Sequence, residues 1–387
     1  MRVLAITRIF PNAAEPQSAP FNRQQLAALG RRCRVEVIAT LPWFPGISLA
    51  SRWSAAANLV RVPRLEQIAG LPVAHPRALY LPRLPGAAAG LYAASLLPDV
   101  LARRGHVDVV LGTWAYPDGC AAVLLAGLLG VPAVVKLHGS DMNVIARLRG
   151  PRVQLRALLP RAARVVAVSR ALAAEAEELG VSPERIRLVR NGVDGERFHP
   201  ADRAAARAEL GLVSGRRLAL YVGHLKENKG VLDLAAAMAH VAEADLVVVG
   251  GGEAAGRLEA ALAPLGARAR LIGERPHDEV SRWMAAADVV VLPSWNEGTP
   301  NAVIEALACG RRVVATRVGG TPDLITSDLL GSLVPPRSPD ALAEAMNLAL
   351  ATDYDPDAVA RAASASSWDD SAAKLHAVLE EAVREVR

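Results

Sequence analysis

Short runs of β-branched and aliphatic residues recur along the chain, with alanine-rich amphipathic stretches between them. In the first half the runs are Val3–Thr7, Val35–Thr40, Val109–Gly112, Ala133–Leu137, Val165–Val168 and Ile186–Val189. Triplets such as Val-Val-Leu and Ala-Val-Val are apolar on both faces, as a parallel strand covered by helices must be. Asn22–Leu29 and Arg170–Leu179 read as helices between them. The pattern then restarts. Leu218–Val222, Leu246–Val249, Arg270–Ile272, Val289–Leu292 and Val313–Thr316 form a second set of strands. Helices are predicted near Gly230–Val241, Ala254–Ala263, Asp278–Ala286, Pro300–Ala308 and Pro339–Leu350. Asp357–Ser364 and Ser371–Glu385 close the chain as two further helices.

This alternation builds doubly wound α/β sheets. The polar, proline-bearing stretch Asp194–Asp202 separates the two sets. The expected architecture is therefore two Rossmann-like parallel-sheet domains in series, 1–198 and 199–370, with the helix at 371–387 packing back on the first. Ligands of open α/β sheets bind beyond the carboxyl ends of the strands, so a cleft between the domains is the expected site.

The 387 residues are 52% hydrophobic and 21% charged, which excludes a disordered chain. Aromatic residues make up 4%, so the cores must rest on Ala, Val and Leu. Cys33, Cys120 and Cys309 are odd in number and far apart, which disfavours a disulfide scaffold and points to a reducing compartment. The opening apolar segment is too short for a secretory leader. Cys120 to Val135 is broken by Gly127, Gly130 and Pro132, so it reads as a buried helix and strand rather than a membrane span. A cytoplasmic protein is expected, with the inner face of the membrane as a further location.

Charge is unevenly spread. Residues 1–200 carry 25 basic and 13 acidic side chains, and residues 201–387 carry 19 and 26. Between Met142 and Ala174 lie Arg147, Arg149, Arg152, Arg156, Arg161, Arg164 and Arg170, and no acid. One reading is a solvated face. The other is a basic surface lying against an anionic membrane or an anionic acceptor. Nucleic acid is not expected as a partner, because no aromatic residues interleave with the arginines to stack bases.

The sharpest motif runs from Pro293 to Gly310 as Pro-Ser-Trp-Asn-Glu-Gly-Thr-Pro-Asn-Ala-Val-Ile-Glu-Ala-Leu-Ala-Cys-Gly. A buried strand ends at Leu292, a loop follows, and a helix is predicted with Thr299 as its N-cap and Pro300 at its first position. The N–H groups of Asn301 and Ala302 are then open to an anion at the positive end of the helix dipole. Glu297 falls in what reads as an open loop and Glu305 within the helix, so one carboxylate can hold hydroxyls near the loop and the other hydroxyls further along a ligand. By spacing alone, the same pair also fits a loop acid and a solvated helix acid.

The string resembles the donor-binding motif of the family 4 glycosyltransferases, retaining enzymes of the GT-B fold, in which two Rossmann-like domains face each other across a deep cleft. Both acids of that motif are matched, by Glu297 and Glu305. The resemblance extends over most of the chain: His138-Gly139-Ser140-Asp141, Ser169, Asn191-Gly192-Val193-Asp194, Val222-Gly223, Lys229-Gly230 and Gly319-Gly320-Thr321-Pro322-Asp323 all stand where the family pattern has such elements. Tyr116-Pro117-Asp118-Gly119 and His-Gly-Ser-Asp-Met-Asn are similar to members that build bacterial envelope and exopolysaccharides, such as the teichuronic-acid enzymes.

The resemblance implies roles. Glu297, His138 and Lys229 would be the catalytic set. Glu297 would contact the hexose hydroxyls, His138 the sugar from the opposite wall, and Lys229 the diphosphate. Glu305 would hold the ribose hydroxyls. Gly298, Thr299, Asn301, Ala302, Gly223, His224 and Arg275 would complete the donor site, with amides from Gly298 to Ala302 cradling the diphosphate. Phe21, Arg23 and Asp118 would face the acceptor. The partners implied are a nucleotide diphosphate sugar, UDP- or GDP-linked, and a glycan or lipid-linked acceptor. A positioned cation and preorganised amides stabilise a diphosphate leaving group without a metal or other cofactor, which agrees with the lack of a clear Asp-x-Asp motif.

Two departures stand out. His224 occupies a position where the family usually has Arg, and an imidazole offers one donor where a guanidinium offers two. Either it faces the diphosphate or it packs against the wall while an arginine elsewhere compensates. The loop from Pro11 to Gln24 is long, proline-rich and glycine-free, where many members have two glycines. Phe21 and Arg23 within it equally fit a helix staple and a surface charge. Gly250-Gly251-Gly252-Glu253 reads as a tight turn, and Asp141 as a cap or supporting acid. The alternatives to transfer are a catalytically silent nucleotide-sugar sensor or scaffold, a sugar-nucleotide epimerase and a phosphorylase. The last needs a cofactor-bearing lysine, and the four lysines (Lys136, Lys226, Lys229, Lys374) stand in no suggestive context.

Overall fold

A computed structural model describes residues 1–43, 59, 61–79, 88–212 and 215–386. It divides into two units, Met1–Gly192 with Trp368–Arg387, and Val193–Ser367.

The first unit is built on an eight-stranded sheet among the described residues. Its strands are β1 (Arg2–Thr7), β2 (Arg34–Ala39), β4 (Leu65–Ile68), β5 (Leu71–Ala74), β7 (Val109–Gly112), β8 (Ala133–Leu137), β9 (Arg164–Ala167) and β10 (Ile186–Leu188). The order is β10-β9-β8-β7-β1-β2-β5-β4. All neighbours pair in parallel except β4 and β5. A small parallel pair, β3 (Leu41–Trp43) and β6 (Arg77–Leu79), stands apart. β7, β8 and β9 are buried at every position, Lys136 of β8 and Arg164 of β9 included. The last helix, Trp368–Val386, packs its Leu375, Leu379 and Ala382 into the same core as Leu26 and Leu29 of helix Pro20–Gly30. Arg164 and Arg187 of β9 and β10 both bind Glu381 of that helix.

The second unit holds a six-stranded, all-parallel sheet. Its strands are β11 (Arg217–Val222), β12 (Ala244–Val249), β13 (Ala269–Gly273), β14 (Val289–Leu292), β15 (Arg312–Thr316) and β16 (Gly331–Val334). The order β13-β12-β11-β14-β15-β16 runs outward from β11 in one direction and from β14 in the other. The chain therefore reverses its winding between β11 and β14, which pair Ala219 with Val289 and Leu220 with Val290. Such a switch point splays the connections leaving the two strands and opens a crevice at their carboxyl ends.

Every strand predicted from the sequence is present. The strands that were not anticipated are short or polar: β3 and β5 each contain a proline, and β4 alternates exposed and half-buried positions as an edge strand does. The units part at Gly192/Val193, earlier than the 198/199 limit expected. The Val193 amide bonds the Ser366 carbonyl at 2.9 Å, and Phe198 is buried in the second unit's core.

Candidate functional site

In the second unit the loops that leave β11 and β14 meet. After β11 the chain turns through Gly223 and His224 to a short turn of helix at Glu227–Lys229. Gly230 follows with φ 67°, and a Cβ there would stand 1.9 Å from the Pro293 carbonyl oxygen. Only glycine permits both that backbone conformation and that approach. The contact locks the two loops together, and the Trp295 amide adds a bond to the Asn228 carbonyl at 2.9 Å. From the third side, Gly319 has φ 51° and its Cβ would fall 1.8 Å from the Glu297 carbonyl oxygen. The Gly320 amide bonds the Gly298 carbonyl at 2.8 Å.

This bracing delivers the two central side chains to each other. Lys229 Nζ lies 2.7 Å from Glu297 Oε1. Glu297 is 9% exposed, so the loop is not open as the sequence suggested; the turns at 228–230 and 318–320 enclose it. The lysine supplies a counter-charge to a carboxylate that is nearly buried.

The helix after the loop spans Asn301–Ala308. It begins one residue later than predicted: Pro300 is the N-cap, in extended conformation, and Thr299 precedes it. Proline suits that place because it has no N–H to leave unsatisfied. The Val303 amide bonds the Pro300 carbonyl at 3.1 Å; the amides of Asn301 and Ala302 stand ahead of it, at the positive end of the helix dipole beside Gly298 and Thr299. Glu305 follows one turn along. Its Oε1 is 2.9 Å from Nε2 of His277, a residue that the sequence reading had not singled out. Its only signal was its place directly after the β13 loop, in the sequence Arg275-Pro276-His277.

The remaining predicted donor residues are placed as follows. Gly223 has φ 157°, with the Tyr221 hydroxyl 3.1 Å from where its Cβ would be. His224 is exposed, and its carbonyl accepts from the Tyr221 hydroxyl at 2.9 Å. Arg275 is exposed too; its guanidinium lies 3.6 Å from Glu279 of the following helix. The turn at Gly250–Gly252 packs against the backbone of residues 223–225, with the Leu225 amide on the Gly251 carbonyl at 2.8 Å.

His138, Phe21, Arg23 and Asp118 belong to the first unit. His138 follows β8. Its ring centroid is 4.9 Å from Phe21 and 6.0 Å from Trp114, and its Nε2 is buried with no hydrogen-bond partner among the described residues. Burial first, and then Lys136, hold the imidazole well below its ordinary pKa, so the ring is neutral at physiological pH. Asp141 is buried beneath it and accepts from the amides of Ala115 at 2.8 Å and Gly139 at 2.6 Å. That carboxylate fixes the backbone of the His138 turn. Arg23 is half-buried on the same helix as Phe21. Asp118 is wholly buried at this unit's own winding reversal, between β1 and β7, with Oδ2 accepting from the Arg8 amide at 3.3 Å. Burial pushes its carboxyl up to about 7. Lys136 is buried as well, on Gln25 and Asn191.

The arginine-rich stretch is not one continuous surface. Arg164 is buried against Glu381 and Glu385, while Arg149, Arg156, Arg161 and Arg170 are exposed. Leu148 and Val153 stand exposed among them. Among the described residues no helix is long and apolar enough to cross a membrane.

Comparison with known proteins bears on the whole chain. Residues 23–197 match the model of Glycosyltransferase Family 4, and residues 216–352 that of Glycosyl transferases group 1. TuaC of Bacillus subtilis, named as a glycosyltransferase of teichuronic acid biosynthesis, is 31% identical over 89% of this chain and 88% of its own. A D-inositol 3-phosphate glycosyltransferase of Xylanimonas cellulosilytica is 34% identical over 78% of each chain. Among solved structures, HepE of Anabaena, crystallised with UDP, superposes with a TM-score of 0.77 at 20% identity, over 98% of this chain and all of its own.

Proposed function

The chain belongs to the family 4 glycosyltransferases of the GT-B fold, and from that premise we propose that it is a retaining hexosyltransferase. It takes a hexose from a nucleotide diphosphate sugar and passes it to a hydroxyl of a glycan or lipid-linked acceptor in cell-envelope or polysaccharide synthesis. One observation carries the reading: a lysine and a glutamate, 2.7 Å apart, stand at the β11/β14 switch point beside the start of a helix that itself bears the second acid.

A diphosphate laid at that helix start meets the dipole and the amides of Asn301 and Ala302, and it draws Lys229 away from Glu297. Glu297 then accepts from sugar hydroxyls, and Glu305 from those of the ribose. As the bond between the anomeric carbon and the phosphate oxygen breaks, negative charge grows on the diphosphate, where Lys229 and the amides are already aimed. The acceptor oxygen forms its bond to the anomeric carbon on the same face, and its proton passes to the departing phosphate oxygen. This donor set supplies the charge stabilisation itself, so the reaction needs no metal. His224 lies at the end of β11 and adds a donor at the diphosphate, and Arg275 at the end of β13 a cation near the nucleotide. In the first unit, the neutral His138 offers its unpartnered Nε2 to a sugar hydroxyl, with Phe21 and Arg23 on the acceptor side; Asp118, wholly buried, braces the Arg8 backbone rather than touching the acceptor as expected. The exposed arginines, with Leu148 and Val153, fit the headgroups of an anionic membrane carrying a lipid-linked acceptor.

A thermal-shift screen of nucleotide sugars, followed by a transfer assay with the stabilising donor, tests the reading. A matching donor raises the melting temperature by mass action, and an excess of chelator leaves its turnover unchanged. Stabilisation by a nucleotide sugar without turnover favours the silent sensor. Loss of turnover on chelation overturns the metal-free mechanism.

A further inference from the structure

Glu305 does not hang free from its helix. We propose that His277 is a positioning residue that holds the Glu305 carboxylate for the ribose diol, and so sets a preference for ribonucleotides over 2′-deoxyribonucleotides in the donor site. The inference rests on the donor reading of Glu305 given above.

His277 opens the helix His277–Ala286, directly after β13. Its Nε2 is 2.9 Å from Glu305 Oε1, and on its other side Arg197 Nη1 is 3.1 Å from Nδ1. A guanidinium can only donate, so Nδ1 must supply the lone pair. The single proton of the neutral ring then sits on Nε2, pointing at Glu305. Asp194 orients Arg197: its Oδ2 is 3.8 Å from Arg197 Nε, and its carbonyl takes the Arg197 amide at 3.2 Å. Phe198 fixes the plane of the ring, with centroids 5.1 Å apart. Residues 194–198 therefore set, through one imidazole, the rotation of a carboxylate more than a hundred residues along the chain.

The consequence is selective. Oε1 is occupied by the imidazole, whereas Oε2 has no hydrogen-bond partner among the described residues. A carboxylate accepts only, and hydroxyls must donate to it. A glutamate held at one oxygen presents the other in a fixed direction, and the entropy of ordering the side chain is lost before the ligand arrives. Removing His277 leaves the acid in place but frees its rotation. The ligand should then lose what it gains from the ribose hydroxyls and nothing else.

The test is calorimetric titration of UDP and GDP, each against its 2′-deoxy counterpart. Wild-type protein should prefer the ribonucleotide, and Glu305→Ala should abolish the preference. His277→Phe should weaken the ribonucleotide by about tenfold and leave the deoxynucleotide unchanged. His277→Gln, whose amide can still donate to Glu305, should retain most of the preference. In the transfer assay the loss should fall on KM for the donor with kcat held. If His277→Phe weakens both nucleotides equally, or leaves the preference whole, the positioning role is overturned. If the wild type has no preference and Glu305→Ala changes nothing, the ribose reading of Glu305 falls first, and the role of His277 with it. Should His277→Phe fold poorly, Arg197→Met removes the tautomer lock while sparing both partners; a selective ribonucleotide loss there supports the proposal, and an equal loss overturns it.

Discussion

Glu297 and Lys229 form an ion pair in which the acid is nearly buried and the base is a quarter exposed. Glu297→Ala should lower transfer by about a hundredfold or more, because interactions realised in the transition state are lost. Stability should fall by only ~1 kcal/mol, since the lysine left behind still reaches water. Turnover near wild type would remove Glu297 from the mechanism. Asp118 predicts a pH effect of definite sign. Its carboxyl is raised from the ordinary range to about 7 by burial, so between those values the folded chain holds a proton that the unfolded chain has released. Stability should therefore fall as pH rises through that window and level off above it. Denaturant titrations of the wild type and Asp118→Asn across pH 4 to 8 should show this slope in the wild type and a flatter profile in the variant. A residue's environment of this kind was not legible in the sequence. The motif reveals that Glu297 and Glu305 are acids with seven residues between them, but the enclosure of one and the imidazole on the other come from loops distant in the chain.

The elements were the most readable level. Short apolar runs marked β7, β8, β9, β12 and β14, which are buried on both faces, even though Lys136, Arg164 and Asp245 fall within three of them. The runs at β4 and β16 carry half-buried positions and so look like loop. Helix ends shifted by one to three residues, as at Pro300, where two cap geometries compete within a single turn. What the elements do for the site is hold its loops in contact, and two glycines carry that task. Gly230→Ala would force a Cβ against the Pro293 carbonyl at a positive φ. The expected loss is ~2–3 kcal/mol, with donor KM rising as the Lys229 loop shifts. Unfolding midpoints and donor titration would check both effects, and an unchanged midpoint would mean that the two loops are not locked there.

At the scale of the whole molecule, two Rossmann-like units in series were legible because the strand–helix pattern begins twice, but their boundary was not. Asp194–Asp202 reads as linker by composition, and the Val193–Ser366 bond, the Arg197–His277 contact and the burial of Phe198 assign its start to the second unit. The charge asymmetry was equally plain, yet sequence could not tell that Arg164 is spent on the terminal helix. The exposed remainder predicts binding to anionic vesicles that weakens with salt, as the screening length shortens from ~10 Å at 0.1 M. Glutamate at Arg149, Arg152 and Arg156 together should abolish that binding while nucleotide binding persists. Binding that ignores both salt and the charge reversal would leave these arginines as a solvated face. The central claim, that the start of helix 301–308 with Lys229 is a diphosphate pocket, is met most directly by a crystal structure with a bound nucleotide sugar. The account predicts phosphate oxygens on the Asn301 and Ala302 amides, with Lys229 turned from Glu297 onto the phosphate; a diphosphate bound elsewhere, with the Lys229–Glu297 pair intact, would contradict it.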